Sequence, residues 1–465
     1  MAESSNTSAL ARAIGPLGAF AIVAGSMTGI GIFLSPSIVA SHLPHPLPFF
    51  AVWLLGGLTA LAGAVACGEL GALMPEAGGD YVFQHEAYGA SVAFASGWVL
   101  FGAIFCGSIA TMAVGLCTYQ LSTLTGMDMG QVVATLPLAG EITAAQAAAC
   151  VLVPVLTVIN VLGVGLSARV QITLTLAPII LLSLAAIYTI VFGASTAASP
   201  PSSSPAASWT LHGGVLAYMA VYFAYSGWIN VIYVAGEVAE PQRNIPFGLI
   251  SGTLAVTLAY MLLCAGFLRV LGLEGVREAG ESGTAVATVL AGDAGRVGIA
   301  LLIATALTAC INGTIMAGAR VAYAMSRRGA MPSWIGQVGS NDVPVRALVL
   351  QSALALALVV TGKFEELYAM VSLAMVVTGT LTVGALFVLR RTRAALPRPY
   401  RATGYPVLPG IYILSSVVVI AVMVMQAFSM EEGSWYPLLG LTILILTYVF
   451  HELYHRNRRS QGVLP

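Results

Sequence analysis

The chain of 465 residues is 58% hydrophobic and only 8% charged, and its mean hydropathy is +0.90. A soluble domain carries about 25% charged residues, so this composition excludes an ordinary soluble enzyme and indicates a membrane protein. The 19 basic and 19 acidic residues balance, which excludes the strongly basic surface of a nucleic-acid-binding domain.

Apolar stretches of about 20 residues, long enough to cross a bilayer as helices, recur along the whole chain. We predict an all-α integral membrane protein with twelve transmembrane helices, at 13–41, 48–74, 90–122, 145–163, 168–193, 213–238, 245–271, 296–325, 345–361, 366–390, 407–427 and 436–454. With this arrangement one side of the membrane holds 15 of the 19 basic residues, and the other holds only Arg269, Arg277, Arg296 and Lys363. The positive-inside rule then places both termini in the cytoplasm of a multi-pass protein. We expect a bacterial inner (plasma) membrane.

The first span is unusual because small and polar residues lie at its centre. Residues 24–33 read Ala-Gly-Ser-Met-Thr-Gly-Ile-Gly-Ile-Phe. Gly25 and Gly29 also form a small-x-x-x-small pair, which would serve only to let two helices pack closely. Free backbone groups at membrane depth are tolerated where they are buried in protein or line a cavity. We therefore predict a helix break that lines a substrate site.

A second break is predicted in the sixth span, after the serine- and proline-rich stretch 193–209. Residues 222–230 read Tyr-Phe-Ala-Tyr-Ser-Gly-Trp-Ile-Asn. Interrupted spans at matching positions of two halves are typical of inverted-repeat transporters. Half-helix N-termini offer N–H groups to an anion, and half-helix C-termini offer carbonyls to a cation. Two such breaks suit the zwitterionic end of an amino acid.

No other chemistry is indicated by the sequence. The six cysteines lie in apolar segments without paired spacing, and the six histidines lie in loops or at span ends. We therefore predict no disulfide, no metal site, no cofactor and no catalytic residue, and we expect that the protein is not an enzyme.

Taken together, these stretches resemble the amino acid–polyamine–organocation superfamily, most closely its bacterial amino-acid antiporters and the L-type amino-acid exchangers. The matching stretches occur in the family's order: Gly29–Phe33, Glu69–Gly71, Pro75–Tyr81, Phe223–Trp228, Glu237, Pro241–Pro246, Ile311–Gly313, Ser326–Pro332 and Arg398–Arg401. The resemblance implies a LeuT-like fold of two inverted five-helix repeats, with discontinuous helices 1 and 6 and two peripheral helices. The implied segments are a cytoplasmic tail (1–12), a first repeat (13–193), an extracellular linker (194–211), a second repeat (212–390), a cytoplasmic loop (391–406), peripheral helices 11 and 12 (407–454) and a second cytoplasmic tail (455–465).

The resemblance also implies roles for single residues. Backbone N–H groups around Gly29, Ile30 and Gly31 would receive the substrate carboxylate. Carbonyls near Met27, Phe223 and Ser226 would receive its ammonium group. Phe223 would be the aromatic gate over the substrate, although a packing or lipid-facing phenylalanine is the alternative. The predicted substrate-binding set is Ser26, Met27, Thr28, Gly29, Ile30, Gly31, Phe223, Ser226 and Ile229.

Three positions depart from the family pattern. Ile30 stands where many relatives have serine, and Pro178 where L-type exchangers carry lysine. Ile229 stands where arginine-type antiporters use a glutamate. The carboxylates nearest the membrane interior are Glu69 and Glu237, which we expect to pair with arginines rather than relay protons. A buried site for a basic side chain would leave its charge unpaired, so we expect a neutral substrate.

The sequence therefore predicts a secondary transporter of neutral L-amino acids that works by alternating access. Exchange is the expected mode because the sequence reveals no membrane-embedded titratable residue, and we expect no obligatory accessory subunit. The alternatives are an amine or polyamine antiporter, and a proton- or sodium-coupled importer with Thr305 and Thr308 as candidate sodium ligands. An amino-acid sensor would need a larger output domain than the short tails provide. A channel would need a polar stripe along one span.

Overall fold

The helices follow one another along nearly the whole chain. The computed structural model describes residues 10–136, 140–193, 210–339, 341–362, 364–428 and 435–460, with the backbone alone for 364–371 and 455–460. Predicted features at 1–9, 194–209 and 461–465, including most of the linker, lie outside these residues. The described helices are α1 (Pro16–Met27), α2 (Gly31–His42), α3 (Pro46–Leu73), α4 (Asp80–Tyr88), α5 (Ala90–Trp98), α6 (Cys106–Gly115), α7 (Ser122–Thr125), α8 (Ala144–Val161), α9 (Val164–Phe192), α10 (Leu211–Ala224), α11 (Pro241–Glu278), α12 (Ser282–Arg327), α13 (Val345–Thr361), α14 (Phe364–Thr392), α15 (Val407–Ala427) and α16 (Tyr436–Ser460).

The described residues contain ten helices long and apolar enough to cross a membrane, or up to eleven when the bent pair of α1 and α2 counts as one span. The third span runs from α5 to α7 as one stretch, Ala90–Thr125. The predicted ninth span coincides with α13, a shorter apolar helix. The multi-pass helical architecture is therefore confirmed, whereas the count of twelve and the inverted repeats stay predictions.

The prediction of an all-α chain is wrong at one connection. Between the third and fourth spans, β1 (Val132–Leu136) pairs with β2 (Gly140–Thr143) as an antiparallel hairpin. Its last residue also caps α8, because the Thr143 hydroxyl accepts from the Gln146 N–H while the Gln146 side chain accepts from the Thr143 N–H. Such short strands carry no long apolar run, so a search for membrane spans does not find them.

Two helices continue past the predicted span ends. α11 reaches Glu278 instead of 271, and α12 begins at Ser282 instead of 296. Their backbones are interrupted at Gly272 and at Ala291–Gly292, respectively. The predicted ends at 271 and 296 lie close to these kinks, so the residues beyond each kink form a separate helical segment outside the predicted span.

One end of the bundle, where α3, α12 and α14 finish and α11 begins, carries most of the arginines and is called the basic face below. Here Glu69 accepts from Arg390 (Nη2–Oε2 2.5 Å) and Arg398 (Nε–Oε1 3.0 Å). The fully buried Glu237 accepts from Arg320 (Nη2–Oε1 2.8 Å). The predicted pairing of both carboxylates with arginines is confirmed, and these pairs hold the ends of distant helices together.

Candidate functional site

The first break lies between α1 and α2, which are bent by 43° against each other. Thr28 closes α1 by donating its hydroxyl to the Ala24 carbonyl (2.8 Å), and the Gly29 N–H turns back to the Met27 carbonyl (2.9 Å). The first N–H groups of a helix have no acceptor within that helix. A Cβ on Gly29 would meet nothing within 4 Å. This break therefore combines helix N–H groups with open space.

The second break follows α10 and differs from the predicted pair of α-helical halves. The chain turns at Gly227, with φ of 94°, and continues as 3₁₀ turns at Trp228–Ile232 and Ala235–Glu237. A Cβ on Gly227 would overlap the Ser26 carbonyl. Only glycine permits both the positive φ and this approach, so the second break is packed directly on the first.

Two cavities meet at the breaks. The first, called the α2 cavity, encloses about 240 Å³ and extends along α2 to Ile38. The second, called the Asp80 cavity, encloses about 120 Å³ and reaches the start of α4. Both are lined by the same central residues, which are Ser26, Ser108, Met112, Phe223, Ser226, Cys310 and Met375.

The predicted site residues divide between these cavities. Ser26, Phe223 and Ser226 line both cavities, and Ile229 lines the Asp80 cavity. Four more predicted residues line the α2 cavity: Met27, Gly29, Ile30 and Gly31. Thr28 is not among the described lining residues of either cavity, because its hydroxyl is turned to the carbonyl of Ala24.

Several polar atoms at the centre already have partners. The Met27 carbonyl accepts from Tyr260 Oη (2.7 Å) as well as from the Gly29 N–H. The Ser26 carbonyl accepts from Cys310 Sγ (3.1 Å). By contrast, the buried Ser26 Oγ has no hydrogen-bond partner in the described structure. A buried hydroxyl without a partner is costly, so Ser26 is a ready contact for a polar ligand.

The third and eighth spans contribute lining residues that the sequence analysis did not name. Ser108, Thr111 and Met112 come from α6, and Cys310 comes from α12. α6 is flanked by two π-helical segments, Val99–Phe105 and Leu116–Leu121, and such segments occur frequently at functional sites. The glycines of this span, Gly97, Gly102 and Gly107, were the available sequence signal for this wall.

A chain of buried amides fixes the eighth span beside the first. Asn312 Nδ2 donates to Gln171 Oε1 (2.8 Å) and Asn160 Nδ2 donates to Asn312 Oδ1 (2.8 Å). Gln171 Nε2 lies 3.4 Å from the carbonyl of Ala21 in α1. Hydrogen-bonded networks of this kind make buried polar groups tolerable and fix one arrangement of the surrounding helices.

Asp80 is the most important residue that the sequence analysis missed. It is 2% exposed, its Oδ2 accepts from Tyr233 Oη (2.7 Å), and its Oδ1 has no partner in the described structure. Burial raises the pKa of Asp80 to about 7, although the nearby hydroxyls of Tyr233 and Thr382 act in the opposite direction. The sequence analysis took Glu69 and Glu237 as the carboxylates nearest the membrane interior and overlooked Asp80, which α4 carries to the cavity wall.

Apolar helices that surround two touching helix breaks and an internal cavity are the arrangement of a secondary transporter. The chain belongs to the amino acid permease family, whose profile matches residues 14–450. This match confirms the resemblance to the amino acid–polyamine–organocation superfamily. The protein is accordingly a multi-pass amino-acid transporter.

Three relatives illustrate the similarity. The serine/threonine exchanger SteT of Bacillus subtilis (strain 168) is 29% identical over 416 residues, covering 88% of this chain and 91% of the relative. The b(0,+)-type amino acid transporter 1 of Mus musculus is 25% identical over 451 residues, covering 96% and 89%. The Asc-type amino acid transporter 1 of Mus musculus is 26% identical over 400 residues, covering 84% and 73%.

Proposed function

We propose that this protein exchanges neutral L-amino acids across the bacterial inner membrane by alternating access at one central site. The observation that carries the proposal is the direct contact of the two breaks at cavities that contain the unpartnered Ser26 hydroxyl. Similarity to an exchanger named for serine and threonine adds support for small neutral substrates.

The substrate carboxylate binds the N-terminal end of α2. The N–H groups of Ile30 and Gly31 and the Ser26 hydroxyl are its donors, since the Gly29 N–H is engaged by Met27. Helix N-termini attract anions through these N–H groups and through the helix dipole. Isoleucine at position 30 adds no side-chain donor, so the backbone carries most of this contact.

The substrate ammonium binds carbonyls of the second break. That of Ser226 is better placed for this role than those of Met27 and Phe223, because Met27 already accepts from Tyr260 and Gly29, and Phe223 accepts from the Ser226 N–H. Phe223 lines both cavities, and its ring closes the site over the bound substrate. Moving this ring is the gating step of transport.

The substrate side chain lies against apolar groups. Ile229, Ile104 and Phe105 line the Asp80 cavity on the far side of Ser226. Isoleucine at position 229 offers no partner to a guanidinium or ammonium group, and burial favours the neutral form of the Asp80 carboxyl in this cavity. Desolvating a cationic group without a charged partner costs several kcal/mol. The site thereby favours neutral side chains over arginine, lysine or diamines.

The membrane arrangement completes the proposal. Twelve spans in two inverted repeats place the basic face and both termini in the cytoplasm, in agreement with the positive-inside rule. The six cysteines all lie within helical spans, and five of them are buried. They therefore offer no extracellular thiol for a covalent link to an accessory subunit, in line with a transporter that needs no obligatory accessory subunit.

Purified protein in proteoliposomes tests the proposal. Vesicles preloaded with unlabelled serine, alanine or leucine should take up the same labelled amino acid at least about tenfold faster than empty vesicles. The reason is that an exchanger reorients across the membrane only with a substrate molecule bound. Equal uptake into empty and loaded vesicles under an imposed proton or sodium gradient would instead identify a coupled importer.

A further inference from the structure

Asp80 lies where a transport site can bind a proton. Its carboxyl is 2% exposed and lines the same cavity as Ser26, Phe223 and Ile229. One oxygen accepts from Tyr233, while the other has no partner in the described structure. A buried carboxylate without a cation is unfavourable, whereas a protonated carboxyl can be tolerated and can donate a hydrogen bond.

Asp80 does not act as a helix cap. It is the first residue of α4, but its Oδ2 accepts from Tyr233 and its Oδ1 has no partner in the described structure, so its side chain accepts from no backbone N–H of that helix. The N–H groups of Tyr81 and Val82 donate instead to the carbonyls of Gly78 (3.2 Å) and Gly79 (2.9 Å). The usual structural reason for an aspartate at a helix start therefore does not explain this residue.

Among the described side chains, the elements around Asp80 supply no counter-ion. The titratable groups beside it are the Tyr233 hydroxyl and the Cys67 thiol of α3, and α14 presents the neutral Thr382 hydroxyl. The phenols of Tyr222, Tyr225 and Tyr412 also line the cavity. α5 carries no titratable residue, and on α4 itself His85 lies beside Glu86. The nearby arginines are held by other carboxylates: Arg320 by Glu237, Arg328 by Glu76 and Glu86, Arg393 by Glu86, and Arg390 by Glu69, while Arg327 is exposed.

We propose that Asp80 is a proton-binding site of the transport cavity, occupied while the cavity is closed toward the basic face and vacated when it opens there. This proposal rests on the proposed exchange of amino acids and adds a pH dependence to it. In the closed form the carboxyl is dry and holds its proton on the oxygen that Tyr233 does not contact. Opening admits water, the carboxylate becomes hydrated, and the proton passes to the water at the basic face.

The direction of the pH dependence follows from the environment of the carboxyl. Burial raises the pKa of Asp80 to about 7, so near neutrality the closed form binds about half a proton more than the open form, in which the hydrated carboxylate has its ordinary, lower pKa. Raising the pH removes that proton and disfavours closure. Exchange should therefore be fastest on the acid side and slow as the pH rises through 7, because the protonated fraction falls about tenfold between about pH 6 and about pH 8.

The test is the pH profile of exchange in serine-loaded proteoliposomes. The exchange rate of the wild type should fall at least about threefold between about pH 6 and about pH 8. The fall should not exceed the roughly tenfold decrease in the protonated fraction of Asp80 over that range. Asp80→Asn, which mimics the neutral carboxyl, should exchange as fast at about pH 8 as at about pH 6, so its pH profile should be flat. Glu86→Gln on the same helix is the matched control and should keep the wild-type profile.

A second variant keeps the proposal testable if Asp80→Asn does not fold. Tyr233→Phe removes the hydrogen bond that favours the carboxylate, so the midpoint of the pH profile should move to higher pH. An unchanged midpoint in Tyr233→Phe, or a wild-type profile in Asp80→Asn, would overturn the assignment of the proton to Asp80. Absence of serine, alanine and leucine exchange in the wild type at every pH would instead refute the proposed function.

Discussion

The two helix breaks are built in opposite ways. At the first, Gly29 faces open space, and α2 begins with N–H groups that lack intrahelical partners. At the second, Gly227 has φ of 94° and packs against the Ser26 carbonyl, and the side chains of Phe223 and Ile229 line the cavities. The first break offers backbone groups that suit any amino acid. The second offers side chains that select the substrate and close the site.

The largest effect is expected at the packed break, from Gly227→Ala. The added methyl group forces an unfavourable positive φ and overlaps the Ser26 carbonyl, at a cost of about 2 kcal/mol or more. Transport should be lost and the melting temperature of the purified protein should fall by several degrees. A variant with wild-type melting and transport would show that the two breaks are not held together at this point.

The open break should respond differently to the same substitution. Gly29→Ala adds a methyl group where nothing lies within 4 Å, so the melting temperature should stay unchanged. The methyl group would occupy space meant for the substrate carboxylate and should raise KM by about tenfold, or about 1.4 kcal/mol. Gly102→Ala, another site with open space in the third span, is the control and should alter neither property. An unchanged KM in Gly29→Ala would mean that the carboxylate binds elsewhere.

The gate is tested by Phe223→Ala. Loss of the ring should slow exchange about tenfold while the protein still folds, because occlusion rather than core packing depends on it. Phe20→Ala, which truncates a half-buried phenylalanine of α1 outside both cavities, should retain the wild-type rate. If both variants exchange at the same rate, Phe223 is a packing residue.

The smallest effect should be a change of preference at Ile229. Ile229→Glu places a carboxylate in the Asp80 cavity, and that charge is stabilised only when a cationic side chain pairs with it. Competition by arginine and agmatine against labelled alanine should improve by about tenfold or less, within the range that one charge pair gives. Ile229→Leu should leave the competition profile unchanged. Strong inhibition of the wild type by arginine would contradict selection for neutral side chains.

The sequence predicted those parts of the site that depend on local chemistry. Gly29 and Gly31 signal a break because glycines and hydroxyls are unusual at the centre of a span, and Glu69 and Glu237 could be paired with arginines from charge placement alone. The role of Asp80 was missed because its burial depends on how α4 folds back onto α14 and the 3₁₀ turns. The walls from α6 and α12 were missed for the same reason, since Ser108 and Cys310 look like ordinary small residues of an apolar span until the tertiary structure brings them to the breaks.

The most direct test of the account is competition by the separated parts of one substrate. Unlabelled alanine should inhibit the exchange of labelled alanine. Ethylamine, which lacks the carboxylate, and propionate, which lacks the ammonium group, should each be at least about a hundredfold weaker inhibitors, because the breaks bind both charges. This outcome would support one site at which α2 receives the carboxylate and the second break receives the ammonium. Inhibition by ethylamine as strong as that by alanine would contradict the account and identify an amine antiporter.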